Sequence, residues 1–298
     1  MKEHFPGFYP FSYSEKISYL QDATIVLDSS VLLDLIKLNR ADIFIELLLH
    51  EDIARRLWIP YDVAWLYHHK MNGVIIEQIE RIKSSLSLLT QCKNTFEDPI
   101  NYPFLKEETF NLFGTLVRDI ELEARLQVSK LTTSLHVDIN KIMIDNLFKT
   151  KIGEPYADSE MLKLYADGEK RFLERIPPGY IKRSNHIADQ RELYHGYIIW
   201  EQMQKYAKKE KKNILFVTNN ISEDWFYIVN SEIVSPHQSL INEFKTNTNQ
   251  SFYCISAYDF VNRVNKTYSI RKDIKPLLNQ LFVNVRQTII GPNFISNI

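Results

Sequence analysis

Apolar residues follow two rhythms along this chain. Four short runs are almost continuously apolar: "TIVL" (Thr24–Leu27), "RLWIP" (Arg56–Pro60), "NILFVTN" (Asn213–Asn219) and "SFYCIS" (Ser251–Ser256). Such runs mark strands buried on both faces, as in a parallel sheet. Between them the apolar positions recur at helical spacing, in "SSVLLDLIKL", "ADIFIELLLH" and the long amphipathic stretch Tyr61–Leu89, with Gly73 as its weak point. Pro60 stops the second strand and can open that helix. Helical patterns resume at Lys106–Lys151, at Asp158–Ile176 ahead of Pro177-Pro178-Gly179, and at Arg191–Lys209. "SEDWFYIV" (Ser222–Val229) reads as a short helix capped by Ser222, and "AYDFVNRV" and "IKPLLNQLF" as later helices. Strands alternating with helices predict an α/β fold with a parallel sheet covered on both faces. Residues from about 86 to 176 hold no strand pattern. They read as a helical insertion in a single domain spanning 1–298, which ends in a helical extension over about 262–298.

Composition narrows the class. Hydrophobic residues make up 45% and charged residues 24%, enough for a packed core. The net charge of −1 carries no general basic excess that would mark a nucleic-acid binder. "KKEKK" (Lys208–Lys212) is the densest charge run and suits the solvated end of a helix, where lysine also complements the dipole. Cys92 and Cys254 stand far apart without metal-ligand spacing, which speaks against a disulfide scaffold or a zinc site. No apolar run reaches bilayer-spanning length and the first residues lack an apolar signal core. A soluble, cytoplasmic protein with no membrane contact is expected.

The candidate chemistry lies where strands end, because open parallel sheets bind ligands beyond their carboxyl ends. Asp28 follows the first strand. Thr218, Asn219 and Asn220 follow "ILFV", with Asp224 a turn further on. Neither strand leads into a glycine-rich loop, and the chain has only eight glycines, so a dinucleotide or P-loop site is disfavoured. Carboxylates from separate segments around a hard divalent cation need no glycine. Asp28 also has a plainer role open to it, capping the helix "SSVLL" by accepting backbone N–H bonds.

Four blocks in order carry a resemblance: "FPGFYPFSYSEKISYLQDATIVLDSSVLLDLIK", "RLWIPYDVAWLYHH", "RIPPGY" and "YHGYIIWEQMQKYAKKEKKNILFVTNNISEDWF". Together they resemble the PIN-like nuclease superfamily, specifically its bacterial subgroup with a helical insertion. The resemblance implies a Rossmann-like three-layer sandwich around a central parallel sheet. It also implies cleavage of RNA, or sometimes DNA, by three or four acids that hold paired Mg²⁺ or Mn²⁺.

Placed on this chain, Asp28 matches the first acid of that family and Ser29 the hydroxyl after it. The other positions depart from the pattern. Leu66 stands where a Glu is expected, Tyr197 follows Gly196 where an Asp is expected, and Thr218-Asn219-Asn220 carries amides where a carboxylate is expected. Asp224 survives in the "EDW" that follows, and His68 matches a family histidine. Asp28 and Asp224 are therefore the candidate catalytic and metal-binding residues. Ser29, Leu66, His68, Tyr197, Thr218, Asn219 and Asn220 are expected to line the site. Among other acids, Asp34 is expected to point elsewhere, while Asp62, Asp189 and Glu192 could lean in. The tryptophans fall in apolar patterns that suit a core.

One motif acid, Asp28, clearly remains of the set the resemblance implies, and paired divalent ions are then under-coordinated. The expectation is a degenerate nuclease-family protein that binds RNA, single-stranded nucleic acid or a protein partner. Lys182, Arg183 and Arg191 are its candidate phosphate contacts, and no cofactor is certain. The alternative is an active Mg²⁺- or Mn²⁺-dependent endoribonuclease serving as a toxin or phage-defence effector. A homo-oligomer also fits.

Overall fold

The computed structural model describes residues 1, 3, 5–97, 100, 105–181, 189–230 and 232–290. Six strands occur among them: β1 (Thr24–Leu27), β2 (Leu57–Trp58), β3 (Ile214–Val217), β4 (Phe226–Val229), β5 (Glu232–Pro236) and β6 (Phe252–Ile255). The helices begin with α1 (Tyr13–Asp22), α2 (Ser29–Lys37), α3 (Ala41–Leu49), α4 (Glu51–Ala54) and α5 (Tyr61–Phe96). Next come α6 (Glu107–Ser134), α7 (Ile139–Phe148), α8 (Asp158–Glu174), α9 (Gln190–Leu193) and α10 (His195–Glu210). The last are α11 (Gln238–Thr248), α12 (Ala257–Tyr268) and α13 (Lys275–Ile290).

The chain divides into two compact units, Met1–His69 with Met143–Ile298, and Lys70–Ile142. In the larger one, four strands form a parallel sheet in the order β2-β1-β3-β6. Every residue of β1, β3 and β6 is buried, which explains why these strands read as unbroken apolar runs. Phe216 and Phe252 share one face of the sheet. Against it pack Trp200 of α10, Phe244 of α11 and Trp225, with ring centroids 4.8 to 6.2 Å apart. On the other face Tyr253 meets Tyr19 of α1 at 5.2 Å and Phe11 at 4.9 Å. The result is three layers, helix–sheet–helix. A parallel bridge between Ile59 and Ile152 lengthens the β2 edge.

The segment read as a helix at Ser222–Val229 is instead a turn followed by β4, which pairs antiparallel with β5. Phe226-Tyr227-Ile228-Val229 is aromatic and β-branched, and those side chains suit a pleated surface better than a helix. The helix expected from Arg191 to Lys209 is broken at Tyr194 into α9 and α10. Gly73 does not interrupt α5.

The smaller unit is helical. Within it Thr90 of α5 donates to Glu121 of α6 at 3.4 Å, and Phe96 packs edge-on against Phe113 with centroids 5.8 Å apart. Later residues of one helix meet earlier residues of the other, so the two run antiparallel.

Candidate functional site

Chain order and sheet order diverge between β1 and β3. From β1 the chain steps to β2 on one side, and it later returns to β3 on the other. Crevices at such switch points lie beyond the carboxyl ends of the strands. The register pairs Leu27 with Val217, so Asp28 and Thr218 emerge side by side. Their backbone N–H groups continue the ladder, to Val217 O and Ile255 O respectively.

Asp28 is buried, with 5% of its surface exposed, and its carboxylate is held by hydroxyls. Ser30 Oγ donates to Oδ2 at 2.5 Å, Thr218 Oγ1 donates to Oδ2 at 2.7 Å, and Ser29 Oγ donates to Oδ1 at 3.2 Å. Ser30 Oγ accepts from Asn219 N–H at 3.1 Å, and Thr218 Oγ1 accepts from Asn220 N–H at 2.9 Å. Ser29 Oγ lies 3.0 Å from His195 Nε2. Three hydroxyl relays thus converge on one carboxylate. Asp28 is the N-cap residue of α2, but its side chain makes no capping bond to the helix backbone. The hydroxyls take the carboxylate's lone pairs instead, so the side chain does not take up the plainer capping role that the sequence left open to it. Its position at the helix N-terminus still favours the negative charge.

His195 opens α10. Burial pushes its pKa below the ordinary histidine value, against the opposing charges of Asp28 and Asp62. Its Nδ1 is buried and has no hydrogen-bond partner.

Asp224 is 2% exposed. Its Oδ2 accepts from Gly179 N–H at 2.8 Å, and its Oδ1 accepts from Ser222 Oγ. Gly179 has φ +92°, and a Cβ there would stand 3.1 Å from Tyr197 N. Only glycine fits this position without strain, and it lets the Pro177-Pro178-Gly179 loop close over the start of α10.

A cavity of about 260 Å³ gathers these parts. Asp28, Ser29, Ser30, His195, Asn220 and Asp224 supply its polar wall, together with Glu192. Leu33, Leu66, Phe172, Leu193, Ile199 and Trp225 supply the apolar wall. Among the described residues, no lysine or arginine lines it.

The positions where the resemblance implied acids fare differently from one another. Leu66 lies on the cavity wall and offers methyl groups there. Tyr197 is not among the lining residues, and its ring lies under the Arg171 guanidinium at 5.0 Å. Arg171 in turn grips Glu243, whose Oε1 also accepts from Trp200 Nε1 at 2.8 Å. Asn219 donates through Nδ2 to Asp34 Oδ2 at 2.8 Å and accepts through Oδ1 from Ala257 N–H at 3.3 Å. Asn220 Oδ1 accepts from Ser222 Oγ at 2.6 Å.

The acids weighed as stand-ins are mostly committed elsewhere. Asp62 is fully buried; Arg191 Nε donates to its Oδ1 at 2.6 Å and Gln202 Nε2 to its Oδ2 at 3.0 Å. The same Arg191 guanidinium lies 4.2 Å from the Trp65 ring. Asp189 caps α9 by accepting from Glu192 N–H at 2.8 Å. Asp34 is not among the lining residues; it pairs with Lys37 at 3.0 Å and accepts from Asn219 Nδ2. His68 is exposed, beside Tyr67. Trp58, Trp200 and Trp225 are core residues. Lys182 and Arg183 lie outside the described residues.

Sequence reasoning passed over two participants. Ser30 and His195 carry no assigned role in the sequence reading. The signal for Ser30 was its place two residues after a strand-end Asp, within reach of that carboxylate. For His195 it was adjacency to the glycine that faces the crevice.

An acid-bearing crevice at the switch point of a parallel sheet places the chain among open α/β folds that bind ligands there. Residues 24–240 match the family model described as PIN like domain, which covers most of the chain. The chain therefore belongs to the PIN-like family and carries a nuclease fold. No curated protein and no solved structure matches it. Paired divalent ions need several carboxylates within a few ångströms. Among the described residues, no three His, Cys, Asp or Glu side chains gather closely enough to hold a metal ion.

Proposed function

We propose that this PIN-like protein is a degenerate member of its family, a binding module that does not cut through paired metal ions. Its site would be organised by Asp28 and Asp224 and lined by Ser29, Leu66 and Asn220, in a single domain interrupted by a helical insertion. The observation that carries this reading is the sparse donor set: Leu66 faces the crevice, Tyr197 turns toward Arg171, and Asn219 is occupied by Asp34 and Ala257. A partner that presents positive charge suits the crevice better than a phosphate backbone does. The cavity wall carries three carboxylates, and Arg191 is engaged by Asp62. Like charges disfavour phosphate at such a wall.

The test is incubation of RNA and single-stranded DNA with the protein and Mn²⁺, beside an Asp28→Ala control. No cleavage above that control is expected. A gel shift at rising salt then separates nucleic-acid binding from protein binding, because phosphate contacts weaken steeply with salt.

A second reading is favoured by one feature: Asp28, Glu192 and Asp224 border one cavity. An endoribonuclease using Mg²⁺ or Mn²⁺, in a toxin or defence setting, would then work with relocated acids. Cleavage that disappears in Asp28→Ala would establish it.

A further inference from the structure

We propose that the cavity at the carboxyl ends of β1 and β3 receives an organic ammonium group attached to an apolar chain, with Asp28 and Asp224 as its counter-charges. The inference rests on the reading above, in which the site does not hold paired metals.

Two features point to a cation. Asp28 and Asp224 are 5% and 2% exposed, and neither makes an ion pair with a lysine or arginine among the described residues. Hydroxyl and amide donors orient these carboxylates but carry no compensating charge, and buried charge is ordinarily paired. Independently, His195 lines the same cavity, is nine-tenths buried, and keeps Nδ1 without a partner. An unsatisfied buried polar atom of this kind calls for a ligand or an ordered water.

The chemistry of the walls selects among cations. A divalent metal needs several donors at about 2.0–2.6 Å, carboxylates foremost, and among the described residues no three His, Cys, Asp or Glu side chains gather closely enough to hold one. An ammonium is less demanding: its three N–H groups need acceptors only at hydrogen-bond distance. The apolar part of the wall, with Leu33, Leu66, Phe172, Leu193, Ile199 and Trp225, suits a hydrocarbon segment. Leu66 is central here. Where the family pattern has a carboxylate, this chain puts an isobutyl group, exchanging a metal ligand for a surface that packs against methylenes. The same chemistry is found in a free alkylamine and in a lysine side chain offered by a partner protein.

The test is calorimetric titration of the full chain near neutral pH with n-hexylammonium chloride, hexanol, sodium hexanoate and Nα-acetyl-lysine methylamide. Binding of hexylammonium is expected, about tenfold or more tighter than hexanol, with none of hexanoate. Binding of the lysine derivative at least as tight as hexylammonium would assign the site to a partner's side chain, and weaker binding to a free amine. Asp28→Asn should weaken hexylammonium about tenfold. Circular dichroism checks that this variant folds, and Asp224→Asn provides an independent second case. Equal affinity for hexylammonium and hexanol would overturn the proposal. So would binding seen only after Lys182 and Arg183 are both changed to alanine, since the chain would then supply its own cation. Tight Mn²⁺ binding by the wild type would sink the degenerate reading instead. Binding of neither Mn²⁺ nor hexylammonium would sink this inference and leave that reading standing.

Discussion

Asp62 and Asp28 are both buried carboxylates near the start of a helix, yet the protein treats them in opposite ways. Asp62 has a cation and an amide: Arg191 at 2.6 Å, and Gln202, which donates to the carboxylate and accepts from the backbone N–H of Asp62 at 3.2 Å. Asp28 has three hydroxyls and no cation among the described residues. The first arrangement is closed, with charge and hydrogen bonds matched inside the fold. The second is open, with hydrogen bonds nearly complete and charge left over. Structural carboxylates resemble the first, and sites that await something resemble the second.

The comparison can be broken by mutation. Asp62→Ala strands Arg191 beside the core and should cost about 3–5 kcal/mol of stability, read by urea denaturation. Thr218→Val removes the 2.7 Å donor to Asp28 and should cost about 1–3 kcal/mol by the same measurement. The effect should shrink if Asp28 is first made Asn, because the donor then serves no charge. A larger loss from Thr218→Val than from Asp62→Ala would reverse the proposed contrast.

His195 sharpens the comparison through pH. Its pKa in the fold lies below the ordinary value because burial disfavours the imidazolium. The unfolded chain therefore binds the proton more readily, and stability is lost as pH falls below the unfolded histidine value. The contribution is fully present above that value, and its slope is at most about 1.4 kcal/mol per pH unit. Thermal midpoints of the wild type between pH 8 and pH 5 should fall more steeply than those of His195→Gln. His237 is shifted the same way and remains in both proteins, so the difference isolates His195. Parallel curves would mean that Ser29 and Asp28 accommodate the imidazolium.

The smallest effect is expected from Asp28→Asn. The amide keeps an oxygen for the hydroxyls and removes the uncompensated charge, so stability should change by less than about 1 kcal/mol, in either direction. Asp62→Asn should be clearly worse, since it leaves Arg191 facing a neutral group.

Much of the architecture was legible from sequence because β1, β3 and β6 are buried on both faces and their apolar runs have one simple explanation. The exception, β4, was misread because "SEDWF" offers a helix-cap pattern while the strand's character lies in the four residues from Phe226 onward. The site was legible only in part. Asp28, Asp224 and Leu66 could be placed because strand ends and motif order fix their surroundings. The partners of Asp62 could not, since Arg191 and Gln202 come from residues well over a hundred positions away. The behaviour of Tyr197 depends on Arg171, a side chain from a different helix whose direction no local pattern encodes.

Asn219 holds a last consequence. Its amide donates to Asp34 with one end and receives the N–H of Ala257 with the other, work that needs both halves of a carboxamide. An aspartate in its place would confront Asp34 with a second negative charge and nothing to donate. Asn219→Asp is therefore set against Asp34, and changing Asp34 to Asn in the same chain relieves that repulsion.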